Sequence, residues 1–269
     1  MPGGVTSLPP AEPMKLRFRP QFQQLLFTAS GLFLLAAGAF GQQEAEVVVA
    51  GAAQRLKVVS VSGTALVVRT DAGDRPIPLA QISEVRMAAP PEWALGYQAY
   101  QAREYGKALG LVKSVTDRFR GLPGTGSPWA QQAAALLVEI HLAVNDPGRA
   151  EIEFGAFLKA YPASSSVQGD VLAARLALAK QNLPTAKQKL APITEAALKE
   201  KSLNPANGPA YSQAFLVSGQ IKEGEGDLAG ALQDYLRTVT IFYHDRGAVA
   251  LAQRKADELR KKHSEISVP

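Results

Sequence analysis

The chain has 269 residues, 46% apolar and 20% charged, enough apolar content to bury a sizeable core and too much for a disordered tail. Its formal charge is +5, but Lys15, Arg17 and Arg19 outweigh Glu12 within the first 41 residues. The remainder holds 26 basic and 23 acidic residues, which leaves no electrostatic footprint for DNA or RNA. The absence of cysteine excludes disulfide frameworks, thiolate zinc sites, thiol nucleophiles and a lipidated N-terminal cysteine.

From Met14 the order is MKLRFRPQFQQ, then LLFTASGLFLLAAGAFG, a cationic segment followed by an apolar one with small residues at Ala37, Ala39 and Gly41. That order has the form of a secretory signal peptide, with cleavage expected after Ala39 or Gly41. Residues 25–41 are interrupted by Thr28, Ser30 and Gly31 and fall short of the roughly 20 apolar residues a membrane span needs. Cleavage and export are therefore the expectation, and an inner-membrane anchor through an uncleaved 25–41 segment is the alternative. Residues 1–13 have no place in such a leader, so Met14 is the expected start.

Short β-branched runs at 47–49, 55–61, 64–70, 77–79 and 82–87 alternate with turn formers, most clearly Ser62-Gly63 and Asp71-Ala72-Gly73-Asp74. Five strands in so short a stretch predict a small curled, barrel-like module over 44–88. The pattern VVSVSGTALVVRTDAGDRPIPLAQISEVRM resembles the SH3-like or Sm-like modules that follow the leader of some exported bacterial repeat proteins. Some such folds bind RNA, but this stretch has no aromatic residue on which to stack a base, and Asp71, Asp74 and Glu84 offset its basic residues. A packing or docking role is expected.

Ala88-Ala89-Pro90-Pro91 ends the β texture, and from Glu92 onward the apolar residues recur at helical spacing. The half is self-similar. Leu95-Gly96 with Tyr105 and Lys107-Ala108-Leu109 forms a first unit. The second unit is 134–143, Asp146-Pro147-Gly148, Ala150, Phe154 and Pro162. The third runs through 167–180 and Ala186, and the fourth through 211–222 and Ala231. The small residues Ala108, Ala150, Ala186 and Ala231 stand 42, 36 and 45 apart, with loop-like inserts at 121–128 and 201–209. Residues 246–262 read as one more polar-faced helix that caps the last apolar face. This pattern resembles the tetratricopeptide repeat over 92–263. The expected fold class is accordingly mainly α, an α-α superhelix of about four helical pairs and a capping helix behind the small β module.

The resemblance implies close packing at Gly96, Ala108, Ala150, Phe154, Ala186 and Ala231, helix termination at Pro162, and a concave groove lined by the first helix of each pair. In that frame Trp93, Tyr97 and Tyr100 form an aromatic stripe at i, i+4 and i+7, and Glu139, Arg175 and Gln220 take the position of Tyr97 in the later units. Aromatic residues and arginine are common binding anchors, so these six are candidates for contact with a protein partner. For Trp93 and Tyr97, seating the β module against the first unit is the preferred expectation.

Catalytic patterns are missing. His141, His244 and His263 fit no metal-binding spacing, and their expected places are a helix interior, a capping cluster and a basic tail. Gly121-Leu122-Pro123-Gly124-Thr125-Gly126 lacks the Lys and Ser or Thr of a phosphate loop. Ser164-Ser165-Ser166 lacks a nucleophile elbow and suits a helix cap. The expectation is a non-enzymatic interaction scaffold without cofactor or metal, bound to a protein partner, placed by the family resemblance in the periplasm. An accessory subunit of an envelope enzyme is the alternative.

Overall fold

The computed structural model describes residues 43–123, 126–162, 167–200 and 207–266. The leader, the serine run and most of the second insert lie outside these residues. Strands β1 (Gln43–Val49), β2 (Ala52–Ser62), β3 (Ala65–Thr70), β4 (Gly73–Pro78) and β5 (Ile82–Met87) form one antiparallel sheet in the order β4-β3-β2-β1-β5. One sheet face is apolar because alternate residues such as Val47, Val58, Leu66, Val68 and Val85 point to the same side, and all five are essentially fully buried.

The sheet does not close into the expected barrel. Each outer edge is blocked by other means. β4 carries Pro76 and Pro78, which have no N–H to offer a further strand. β5 is covered from outside the sheet. The Met87 amide donates to Ser127 Oγ at 3.0 Å, Ser127 Oγ donates to Val85 O at 2.7 Å, and the Trp129 indole N–H donates to Met87 O at 3.0 Å. With both edges occupied or disabled, closure has nothing to gain.

Nine helices follow among the described residues: α1 (Pro91–Gln101), α2 (Tyr105–Phe119), α3 (Pro128–Ala143), α4 (Pro147–Ala160), α5 (Val167–Ala179), α6 (Leu183–Lys199), α7 (Gly208–Gly224), α8 (Leu228–Thr240) and α9 (Arg246–Lys262). α6 runs through an exposed Pro192 to Lys199.

One turn is used four times. Arg103, Asn145, Gln181 and Gly226 all have positive φ and are the second residues beyond α1, α3, α5 and α7. The next residue in each case, Glu104, Asp146, Asn182 or Asp227, sends its N–H back five residues, to Ala99, His141, Ala177 and Lys222, which satisfies a carbonyl orphaned by the helix end. The same residue's carbonyl then accepts from Ala108, Ala150, Ala186 or Ala231, which opens the next helix. Asp146, Asn182 and Asp227 also cap that helix, accepting from Arg149, Thr185 and Gly230. All four alanines have no exposed surface.

Apolar burial explains the stacking. Four core clusters succeed one another along the chain: the sheet with α1–α3, then α3–α5, then α5–α7 with Phe242, then α7–α9. Each cluster straddles neighbouring pairs, so no pair has a core of its own. Besides packing on its hairpin mate, each odd-numbered helix touches the next odd-numbered one, from α1 through to α9. These helices form a row, and the candidate site lies on it.

Candidate functional site on the odd-numbered helices

A cavity of about 570 Å³ opens on this row, lined from α1, α3, α5, α7 and the α8–α9 connection. Trp93, Tyr97 and Tyr100 stand on α1 at helical spacing and form its aromatic wall, each half-buried. The Trp93 and Tyr97 rings meet at 37° with centroids 5.7 Å apart. Gln101, Gln131, Gln132, Gln168, Asn207 and Gln213 supply amides around the remaining wall, and the charged lining groups are Glu139 and Asp245, with His244 beside them.

A polar chain crosses the row with one residue from each helix. Tyr100 Oη donates to Glu139 Oε2 at 3.0 Å, and Arg175 Nη1 pairs with the same oxygen at 2.8 Å. Arg175 also reaches Gln213 Oε1 at 3.4 Å, and Gln213 Nε2 donates to Asp245 Oδ2 at 2.8 Å. Asp245 in turn caps α9, its Oδ1 accepting from the Ala248 amide at 2.9 Å. A second, smaller pocket of about 140 Å³ on the same chain of residues adds Arg103 and Arg254.

Burial sets the protonation states. It raises the Tyr100 phenol well above its ordinary value, and the adjoining Glu139 carboxylate pushes in the same direction. Burial also raises the Asp245 carboxyl, with Glu139 adding to the shift while the Ala248 amide and Gln213 oppose it. For Arg175, burial disfavours the charged form, but Glu139 and Tyr100 outweigh it, so the guanidinium is held more firmly protonated than usual. The chain thus holds a phenol and a carboxyl that burial pushes toward their neutral forms, on either side of one carboxylate–guanidinium pair.

The structure brings Trp93, Tyr97, Tyr100, Glu139 and Arg175 together at this place. Gln220 lies on α7 away from the cavity. Gln213, seven residues earlier on the same helix, makes the contacts instead. Asp245 and Gln213 escaped sequence reasoning: the cap signature of Asp245 was legible, its place opposite the aromatic stripe was not. Trp93 and Tyr97 also pack partly on the core shared with the sheet, while the hydrogen bonds that hold the sheet come from Ser127 and Trp129. Of the packing residues, Gly96 lies against Val112, where a Cβ would come within 2.8 Å of its Cγ2. Phe154 stacks with the fully buried Phe157, and Pro162 is exposed just beyond α4.

Of the histidines, His141 is buried in α3, His263 ends α9, and His244 stacks on Tyr243 with centroids 5.1 Å apart. The other buried charge cluster is internal: Asp234 is bonded by Ser218, Lys222 and Arg237 within the α7–α8 pair and offers nothing to a ligand. Among the described residues no group of three or more His, Asp or Glu is placed to hold a metal ion, and no helix is long and apolar enough to cross a membrane. No family model, curated protein or solved structure matches the chain.

Proposed function

We propose that the protein is a non-catalytic interaction scaffold of tetratricopeptide type, a superhelix of four helical pairs and a capping helix, whose concave face binds an extended segment of a protein partner. The observation that carries the reading is the cavity itself: four successive odd-numbered helices and the start of α9 supply its walls, as expected when stacked pairs leave one continuous inner face. The recurring turn, the buried alanine four residues after each cap and the core shared between neighbouring pairs support the same reading. The lining suits a peptide, because amide side chains both donate and accept and can pair with extended main chain, while the rings of Trp93 and Tyr97 can take a side chain.

The leader-like residues 14–41 support export to the bacterial periplasm, where the scaffold serves envelope assembly or secretion. N-terminal sequencing of the chain recovered from cell fractions tests that part. A peptide array tests the binding: wild-type protein is expected to retain a subset of peptides that Trp93→Ala and Tyr97→Ala release while their melting temperatures stay within a few degrees of wild type. Retention of the same peptides by both variants would overturn the proposal.

A further inference from the structure

We infer that the cavity takes the side chain of a lysine or arginine carried by the bound segment, seated between the rings of Trp93 and Tyr97 and the carboxylate of Asp245. The inference rests on the peptide-binding reading of this cavity and adds the chemistry of what is recognised.

It starts from a charge imbalance. Glu139 has a cation, Arg175, at 2.8 Å. Asp245 has only neutral donors, Gln213 Nε2 at 2.8 Å and the Ala248 amide at 2.9 Å, and among the described residues it makes no ion pair. Arg175 is committed to Glu139 and Gln213. Arg246, next in sequence to Asp245, is exposed and makes no hydrogen bond to it. The large cavity is therefore lined by two carboxyl groups, Glu139 and Asp245, and, among the described residues, by no lysine or arginine, and the guanidinium of Arg175 is taken up by Glu139. Burial without a counter-ion pushes the Asp245 carboxyl toward its protonated form, and an incoming cation favours the carboxylate again.

The aromatic wall has the matching property. Trp93 and Tyr97 both line the cavity with their rings tilted at 37° to one another, and a cation within about 6 Å of an aromatic face is attracted by the ring quadrupole. Burial raises the Tyr97 phenol, Asp245 and Glu139 add to the shift, and Gln101 and Arg246 oppose it, so the ring lies within electrostatic reach of both carboxyl groups. An acidic side chain would meet two carboxyl groups here, and an aliphatic one would leave Asp245 without a charged partner. The basic residues Arg103 and Arg254 line the smaller pocket and take no part in the large one.

The test uses the full chain and three probes: lysine amide, a peptide pool containing lysine and arginine, and the same pool with both replaced by glutamine. The readout is the indole N–H resonance of each tryptophan, Trp93 at the cavity and the buried Trp129 as internal reference, together with calorimetry. Lysine amide and the basic pool are expected to shift Trp93 and not Trp129. Asp245→Asn should weaken both by about tenfold or more, because a charge-assisted contact is lost while asparagine still caps α9. Asp227→Asn, the same change at the cap of α8 outside the cavity, should leave binding unchanged. If both pools bind equally and shift Trp93, the cation site is overturned and the scaffold reading stands. If lysine amide binds but no peptide does, the cation site stands and the scaffold reading falls. Equal affinity in wild type and Asp245→Asn overturns the inference, and failure of all three probes overturns both.

Discussion

The indole N–H of Trp129 donates to the carbonyl of Met87 at 3.0 Å, tying the second residue of α3 to the last residue of β5 across 42 positions of sequence. Ser127 bonds the same strand at the Met87 amide and the Val85 carbonyl and has no exposed surface. Ser127→Ala strands both strand groups and should cost about 1–3 kcal/mol, and Trp129→Ala about 3–5 kcal/mol once the ring's packing on Phe119 is lost as well. Urea midpoints check both values. A change below 0.5 kcal/mol in either would show that the sheet edge does not depend on these residues.

The four recurring turns predict opposite effects at equivalent positions. Arg103 and Gln181 hold φ of 63° and 60°, a region that costs any side chain and costs glycine nothing. Arg103→Gly and Gln181→Gly should each stabilise by about 0.5–1 kcal/mol, and Gly226→Ala should destabilise by about 1 kcal/mol. Thermal melts of the three single variants decide it, and a uniform loss would contradict the shared geometry.

Close approach of α7 and α8 makes a second contrast. A Cβ at Gly219 would lie 2.6 Å from the Tyr235 ring, which is fully buried and cannot withdraw. Gly219→Ala should cost about 1–3 kcal/mol by overpacking. Gly110, with open space where its Cβ would stand, should gain about 0.5–1 kcal/mol on replacement by alanine, as an exposed mid-helix position does.

Three buried phenols predict alkaline instability. Burial pushes Tyr161 up to about 12, against the Gly121 amide and Arg120, which pull it down, and burial raises Tyr100 and Tyr235 in the same direction. Each group holds its proton more tightly folded than unfolded. Stability contributed by these protons is complete below the unfolded value near 10 and is lost as pH rises through the folded values, beginning for Tyr161 between about 10 and 12. Urea midpoints measured from pH 8 to 12 should fall above pH 10, and Tyr161→Phe should flatten the first part of the fall.

The Glu139–Arg175 pair should behave as a buried pair. Glu139→Ala leaves the guanidinium uncompensated and should cost about 3–5 kcal/mol, whereas the double replacement Glu139→Leu with Arg175→Met should cost far less than the two singles together. A double-mutant cycle by urea unfolding measures the coupling, and additive singles would refute it.

The helical half was legible because its signals are local. A capping Asp or Asn, an alanine four residues later and the next apolar stripe occupy one turn of chain, so Asp146–Ala150, Asn182–Ala186 and Asp227–Ala231 declare themselves by spacing. The aromatic stripe of α1 was legible for the same reason. The strands were also found, but closure into a barrel was expected and the sheet is open, because the edge of β5 is taken by Ser127 and Trp129, about 40 residues away. That Gln213 and not Gln220 lines the cavity has a related ground. Residues 213 and 220 share a helical face, and which turn of α7 meets α5 is settled by how far one helix is offset along the other.

Sequence alone determined the elements of this protein: five short strands followed by helices in succession, and the small residues that open each hairpin. Tertiary structure alone decided that the sheet stays open, that Tyr100, Glu139, Arg175, Gln213 and Asp245 join into one chain, and that Asp245 faces an aromatic wall without a cation. The division has one physical cause. Capping and amphipathic period are satisfied within a single helical turn, whereas an edge strand or a buried charge finds its partner only when segments distant in the chain have packed.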